Sequence, residues 1–309
     1  MCNIHRVKSR KPHFFDDHNI ELDFNGFWTT PKLPDTRFTA SSTSGNYEIG
    51  KYTFRSLIND KYEKNNVCFG EYYNTKKNSK SVSVILVHGW RSDNNSYMRD
   101  IYLKSFMEKG YNFYTYTLPY HFERSPENSY NGEYMISANV KRTLASINQS
   151  VTDLRALIIY LKHHQKDKVI VIGNSLGGLV TNMTATLEKN IDILISIFYA
   201  NSLPFSVWNT IVGKYVKKDF VENSTMQYEE LEKKWSLITP SNFKPAISKE
   251  NILLISGEHD LFVLEEDTKS LWEAWNKPKR LLYKCGHAGI VFNKKDILND
   301  SMDFIDKRL

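Results

Sequence analysis

Four β-branched residues in succession, Val169-Ile170-Val171-Ile172, run straight into Gly173-Asn174-Ser175-Leu176-Gly177-Gly178. The apolar run is too short and too β-branched to be a helix of its own, so it reads as a strand. Leu179 to Ala185 then reads as a helix. A chain that passes from strand to helix within six residues needs a strained turn, where side chains at the flanking positions would strike the neighbouring strand and helix; glycine avoids this. Ser175 is left exposed at the apex, at the end of a sheet, with the N–H groups of a helix N-terminus beside it. This is the geometry of a nucleophile elbow, G-x-S-x-G. The pentapeptide alone is weak; its flanking strand and helix make it specific, provided the chain also supplies a base, an acid and an oxyanion hole.

A chain of 309 residues can bury a core large enough for one α/β domain with an insertion. Hydrophobic content of 41% and charged content of 25% are those of an ordinary globular protein. The formal charge of +6 comes from scattered lysines rather than a dense block, which argues against a nucleic-acid partner; peripheral contact with lipid or membrane stays open, and oligomeric state is not indicated. Cys2, Cys68 and Cys285 are odd in number and form no C-x-x-C pair, so neither a disulfide framework nor a zinc site is expected. With no apolar h-region after the basic start and no spanning run, a cytoplasmic setting is expected.

Residues 1–50 interleave Phe14, Phe15, Leu22, Phe24, Phe27 and Trp28 with polar residues and read as an N-terminal arm, with 40–46 a loop. The arm either packs over the core or offers aromatic residues to lipid or a partner. Residues 51–58 and 67–73 read as an antiparallel hairpin at a sheet edge. Then strands at 82–87, 111–118, 169–172, 191–199, 251–256 and 280–284 alternate with helices near 97–109, 136–165, 265–275 and 294–307. Residues 201–249 interrupt this rhythm with two helical patterns, 206–218 and 226–237. Such alternation calls for a mostly parallel central β-sheet flanked by helices, an α/β fold, with chemistry at the carboxyl ends of the strands. His88-Gly89-Trp90, Ser175, Asp260 and His287 all lie there.

Serine needs a base in hydrogen-bond reach and a group to orient that base. Of the nine histidines, His287 follows the last strand, after both Ser175 and Asp260, and is the candidate base. Asp260 is the candidate acid, with Glu258 a rival two residues earlier. His88 reads as structural, and His163 and His164 as solvated. The oxyanion donors expected are the backbone N–H of Leu176 and that of Trp90, with Arg91 as an alternative. Tyr120 and His121, at a strand end, either contact substrate or close a loop over the sheet. Trp208, with Phe205, Phe220 and Trp235, either lines an acyl pocket or packs the insertion. Cys285, near His287, is a rival nucleophile without an elbow, or a buried strand residue.

Taken together, His88-Gly89-Trp90, Gly173 to Gly178, Gly257-x-x-Asp260 and Gly286-His287 make the chain resemble an α/β-hydrolase fold protein over residues 51–309. The resemblance implies a Ser175–His287–Asp260 triad, an eight-stranded type of sheet, no cofactor or metal, and a cap formed by residues 201–249. It puts residues 1–50 outside the fold. The function expected is hydrolysis of a small-molecule carboxylic ester, acyl or lipid-like, through an acyl-enzyme. Acyl transfer, amide or peptide cleavage by the same triad, and a non-catalytic ligand-binding member of the fold are the alternatives.

Overall fold

A computed structural model describes residues 24–75, 81–127 and 129–309. The strands are β1 (Arg37–Ser44), β2 (Tyr47–Arg55), β3 (Val67–Thr75), β4 (Val82–Val87), β5 (Asn112–Tyr116), β6 (Lys168–Asn174), β7 (Ile193–Ile197), β8 (Ile252–Gly257) and β9 (Lys279–Tyr283). They form one sheet in the order β1-β2-β3-β5-β4-β6-β7-β8-β9. From β5 to β9 every pairing is parallel, while β1, β2 and β3 pair antiparallel with their neighbours. The mostly parallel sheet read from the sequence is therefore present, with nine strands where the resemblance implied eight.

The helices used below are α1 (Ser96–Glu108), α2 (Val140–His164), α3 (Leu176–Leu187), α4 (Leu203–Asn209), α5 (Lys214–Asn223), α6 (Tyr228–Lys234), α7 (Glu265–Ala274), α8 (Gly289–Phe292) and α9 (Lys294–Asp306). In β4 alternate residues face opposite layers. Ile85 and Val87 join the core under α2, α3 and α7, whereas Val84 and Leu86 join the core under α1 and α9. Each such aliphatic residue gains about 1.5–3 kcal/mol on full burial, which is why the central strands carry Val and Ile on both faces rather than alternating with polar residues.

The expected N-terminal arm, residues 1–50, takes in part of the sheet. Residue 50 falls inside β2, and residues 37–44, expected to be irregular, form β1. The signal was absent because β1 is almost wholly exposed, with Thr and Ser in place of an apolar alternation. It is held by its main-chain ladder to β2, so the predicted hairpin of β2 and β3 lies one strand in from the edge. Phe14, Phe15 and Leu22 lie outside the described residues. Phe27 and Trp28 pack against the core under α2, and the Phe27 carbonyl accepts a hydrogen bond from Asn148 Nδ2 at 2.6 Å.

Residues 201–249 leave the sheet after β7 and return before β8. The first expected helix, 206–218, is two helices, α4 and α5. The chain turns so tightly at Gly213 that a Cβ there would stand 2.3 Å from Val207 Cα. The buried Asp267 of α7 ties down the start of this segment. Its Oδ2 accepts from Asn201 N at 2.9 Å, and its Oδ1 from Ser202 N at 2.9 Å and Asn201 Nδ2 at 3.3 Å.

Candidate active site

The turn between β6 and α3 is strained as the glycine spacing required. Ser175 has φ 55° and ψ −117°, outside the regions an L-residue prefers, a conformation of the kind that costs about 1–3 kcal/mol. Neighbours hold it there. Its N–H donates to Ile197 O at 2.9 Å, and its carbonyl accepts from Ala200 N at 3.1 Å. A Cβ at Gly177 would lie 2.4 Å from the carbonyl oxygens of Val87 and His88, and one at Gly173 would lie 2.3 Å from Thr181 Oγ1. Leu176 is the first residue of α3, where a backbone N–H has no partner within the helix.

Asp260 follows β8 and is 3% exposed, whereas Glu258 and His259 face solvent. Its Oδ1 accepts from Phe262 N at 2.8 Å and Val263 N at 2.9 Å. Its Oδ2 accepts from His287 Nδ1–H at 2.7 Å. With Nδ1 donating to Asp260, Nε2 is the ring nitrogen left free of that bond. Phe262 stacks on the His287 ring with centroids 5.2 Å apart, and Phe198 meets it edge-on at 5.9 Å.

In the loop after β4 the alternative oxyanion donor, Arg91, is otherwise engaged. The Arg91 N–H donates to His121 Nε2 at 3.0 Å, so it is committed and Arg91 is not a second donor to the cavity. The Trp90 indole donates to Gly132 O at 2.7 Å, and the Arg91 guanidinium lies over the Trp90 ring at 3.8 Å. His88 is buried, its Nδ1–H on Gly89 O at 2.8 Å and its Nε2 accepting from Leu118 N at 3.1 Å. Burial pushes its pKa down to about 4. His121 is also buried; its Nδ1–H donates to Pro119 O at 2.9 Å, and burial beside His88 holds it well below the ordinary value.

These contacts correct three expectations. His121 is fully buried with both nitrogens occupied, so it does not meet substrate. Tyr120 is 2% exposed and turns the other way, donating its hydroxyl to Asp60 and packing on Tyr62 and Tyr134. Trp208 packs on Phe220 and Tyr228 within residues 201–249 and does not line the cavity beside Ser175. Cys285 fills the space where a Cβ of Gly289 would be, 2.3 Å from its Sγ, and burial together with the nearby Asp260 charge pushes its thiol up, which disfavours the thiolate.

Residues 84–278 match the family described as Alpha/beta hydrolase family. The chain belongs to that family. It is also 45% identical over 116 residues, 38% of this chain and 99% of that protein, to the uncharacterized protein YdjC of Bacillus subtilis (strain 168). Among solved structures it resembles an acetyl xylan esterase from Paenibacillus sp. R4, with TM-score 0.70 and 14% identity over 98% of this chain and 99% of that one. An esterase of Pyrococcus furiosus is similar with TM-score 0.57 and 17% identity over 91% of this chain and 99% of that one. At these identities the two structures speak for the fold.

In this alpha/beta hydrolase, Ser175, Leu176, Trp90 and His287 share one cavity of about 390 Å³. Leu203, Val207 and Val212, from the segment between β7 and β8, line it together with Ile136 and Val263, while Arg91, Ser92, Asp93 and Asn94 supply its polar side. The arrangement can therefore hold an apolar group beside Ser175. Among the described residues no cluster of His, Cys, Asp and Glu has the makings of a metal site, and no helix is long and apolar enough to cross a membrane. Sequence reasoning missed the ties made by Asp267 and His121, and the bond that the Ser92 hydroxyl donates to Gly89 O at 2.9 Å. Each is a contact between residues with no motif of its own, so no local signal announced it.

Proposed function

We propose that the protein is a serine hydrolase cleaving carboxylic esters with an apolar acyl group. The observation that carries this reading is the 2.7 Å bond from the Nδ1 of His287, which lines the cavity that holds the strained Ser175, to a buried, doubly anchored Asp260. Ser175 Oγ attacks the ester carbonyl while His287 Nε2 takes its proton. Asp260 keeps the imidazole in the Nδ1–H tautomer and stabilises the imidazolium. The N–H groups of Leu176 and Trp90 receive the oxyanion, a contribution that typically amounts to about 2.7–4 kcal/mol per donor. His287 returns the proton to the leaving alkoxide, and water then cleaves the acyl-enzyme by the same route in reverse.

The acetyl xylan esterase and esterase likenesses agree with ester chemistry, and the apolar lining below α4 favours an acyl chain over a bulky polar group. The experiment is turnover of p-nitrophenyl esters from acetyl to dodecanoyl, with product analysis in the presence and absence of an added alcohol. Free acid as the main product supports hydrolysis. Transfer of most acyl groups to the alcohol would instead make the protein an acyltransferase, and no turnover of any ester would remove the proposal.

A further inference from the structure

We infer that Ser92 and His121 are positioning residues that aim the Trp90 N–H into the cavity, an inference that rests on the serine hydrolase reading. The Trp90 N–H shares a peptide unit with the Gly89 carbonyl. A trans peptide is planar with its C=O and N–H antiparallel, so a group that fixes the carbonyl fixes the direction of the N–H as well. The Gly89 carbonyl accepts two hydrogen bonds, from the Ser92 hydroxyl at 2.9 Å and from His88 Nδ1–H at 2.8 Å. Bonds accepted at the oxygen also polarise the peptide and make its N–H a better donor.

The next peptide unit is held from the other side. Its N–H, that of Arg91, donates to His121 Nε2 at 3.0 Å. Arg91 has φ 57°, a left-handed conformation that a bulky residue leaves when nothing restrains it. His121 is a dependable acceptor because its Nδ1–H is engaged by Pro119 O at 2.9 Å, which leaves Nε2 bare. The Trp90 indole adds a third anchor on Gly132 O. Two successive peptide units are thus clamped, one through its carbonyl and one through its N–H, and the donor between the clamps belongs to a residue that lines the cavity beside Ser175. The bonds of Ser92 and His121 go to the main chain on either side of the Trp90 N–H; Ser92 also lines the cavity, so the split between kcat and KM separates positioning from substrate contact.

The test uses the full chain with Ser92→Ala, Ser92→Thr, His121→Phe and His121→Gln. Readouts are kcat and KM on p-nitrophenyl butyrate, melting temperature, and amide hydrogen exchange of peptides covering residues 86–94. A misaimed donor lowers kcat without changing binding. We expect kcat to fall about tenfold in Ser92→Ala and about a hundredfold in His121→Phe, with KM nearly unchanged. Ser92→Thr keeps the hydroxyl and retains most of the activity; His121→Gln offers an oxygen near the place of Nε2 and recovers part of it. Exchange at Gly89 to Ser92 rises in Ser92→Ala and His121→Phe. Wild-type kcat and exchange in Ser92→Ala overturn the inference, as does a rise in KM alone, which would make Ser92 a substrate contact. If His121→Phe does not fold, the Ser92 pair decides. A wild-type protein with no ester turnover counts against the serine hydrolase reading instead, and loop exchange then judges the clamp by itself.

Discussion

Asp260 gives only one carboxylate oxygen to His287: Oδ2 accepts the Nδ1–H at 2.7 Å, while Oδ1 is held by the N–H groups of Phe262 and Val263. The carboxylate is therefore oriented by the main chain before any substrate arrives. The histidine inherits that orientation, and Phe262, from the same turn, stacks on its ring.

Asp260→Asn removes the acceptor that selects the Nδ1–H tautomer. The expected result is a fall in kcat of about 10³–10⁴ with little change in KM. Glu258→Gln, at an exposed position two residues away, leaves both constants unchanged. Steady-state kinetics on one ester checks the pair; equal losses in the two variants would contradict the assignment of Asp260.

His88 and His121 make the fold sensitive to acid. The pKa of His88 is lowered to about 4 from an ordinary 6.5, and His121 is lowered as well, first by burial and next by His88. Below about 6.5 the unfolded chain takes up protons that the folded protein refuses. Their contribution is thus complete above that pH and is lost as pH falls toward 4. Urea midpoints at pH 6.5 and 4.5 check the sign. The loss between them should be smaller in His121→Gln, which lacks one of the two groups, and a larger loss would contradict this account.

Asp267 anchors the chain as it leaves the sheet for α4. Burial pushes its carboxyl up to about 6, yet it accepts bonds from three donors on Asn201 and Ser202. Asp267→Ala leaves the main-chain N–H groups of Asn201 and Ser202 unpaired in the interior, while Asn201 Nδ2 keeps its bond to Ser241 Oγ, and should cost about 2–4 kcal/mol of stability. Equilibrium unfolding in urea measures it, and a loss below about 0.5 kcal/mol, the usual effect of a surface change, would show that the tie is dispensable.

Val207 is 2% exposed and lines the cavity from α4. Val207→Trp fills part of the space available to an acyl chain. Cleavage of an octanoyl ester should drop about tenfold or more relative to an acetyl ester, since each methylene denied burial forfeits about 0.8 kcal/mol. An unchanged ratio in a panel of p-nitrophenyl esters would place the acyl chain elsewhere.

Much of the fold and the ring of candidate residues was legible because parallel strands put their carboxyl ends on one edge. Residues that follow β4, β6, β8 and β9 converge however far apart they lie in the chain, so Ser175, Asp260 and His287 could be grouped from order alone. Direction was not legible. A place at a strand end does not say which way a side chain turns, and Tyr120, with φ 59°, points to Asp60 while His121 supports the neighbouring loop. Strand β1 was missed because an exposed edge strand shows no apolar alternation. Asp267 was missed because its partners, Asn201 and Ser202, are 66 and 65 positions away, joined to it only through space.

The most direct measurement of the central claim is covalent labelling with a fluorophosphonate, the modified residue being located by mass spectrometry. Labelling requires an activated serine and an accessible oxyanion hole together. The account predicts one adduct, on Ser175, that is absent from a folded Ser175→Ala variant. A folded wild-type protein that takes up no label, or takes it up equally in Ser175→Ala, would contradict it.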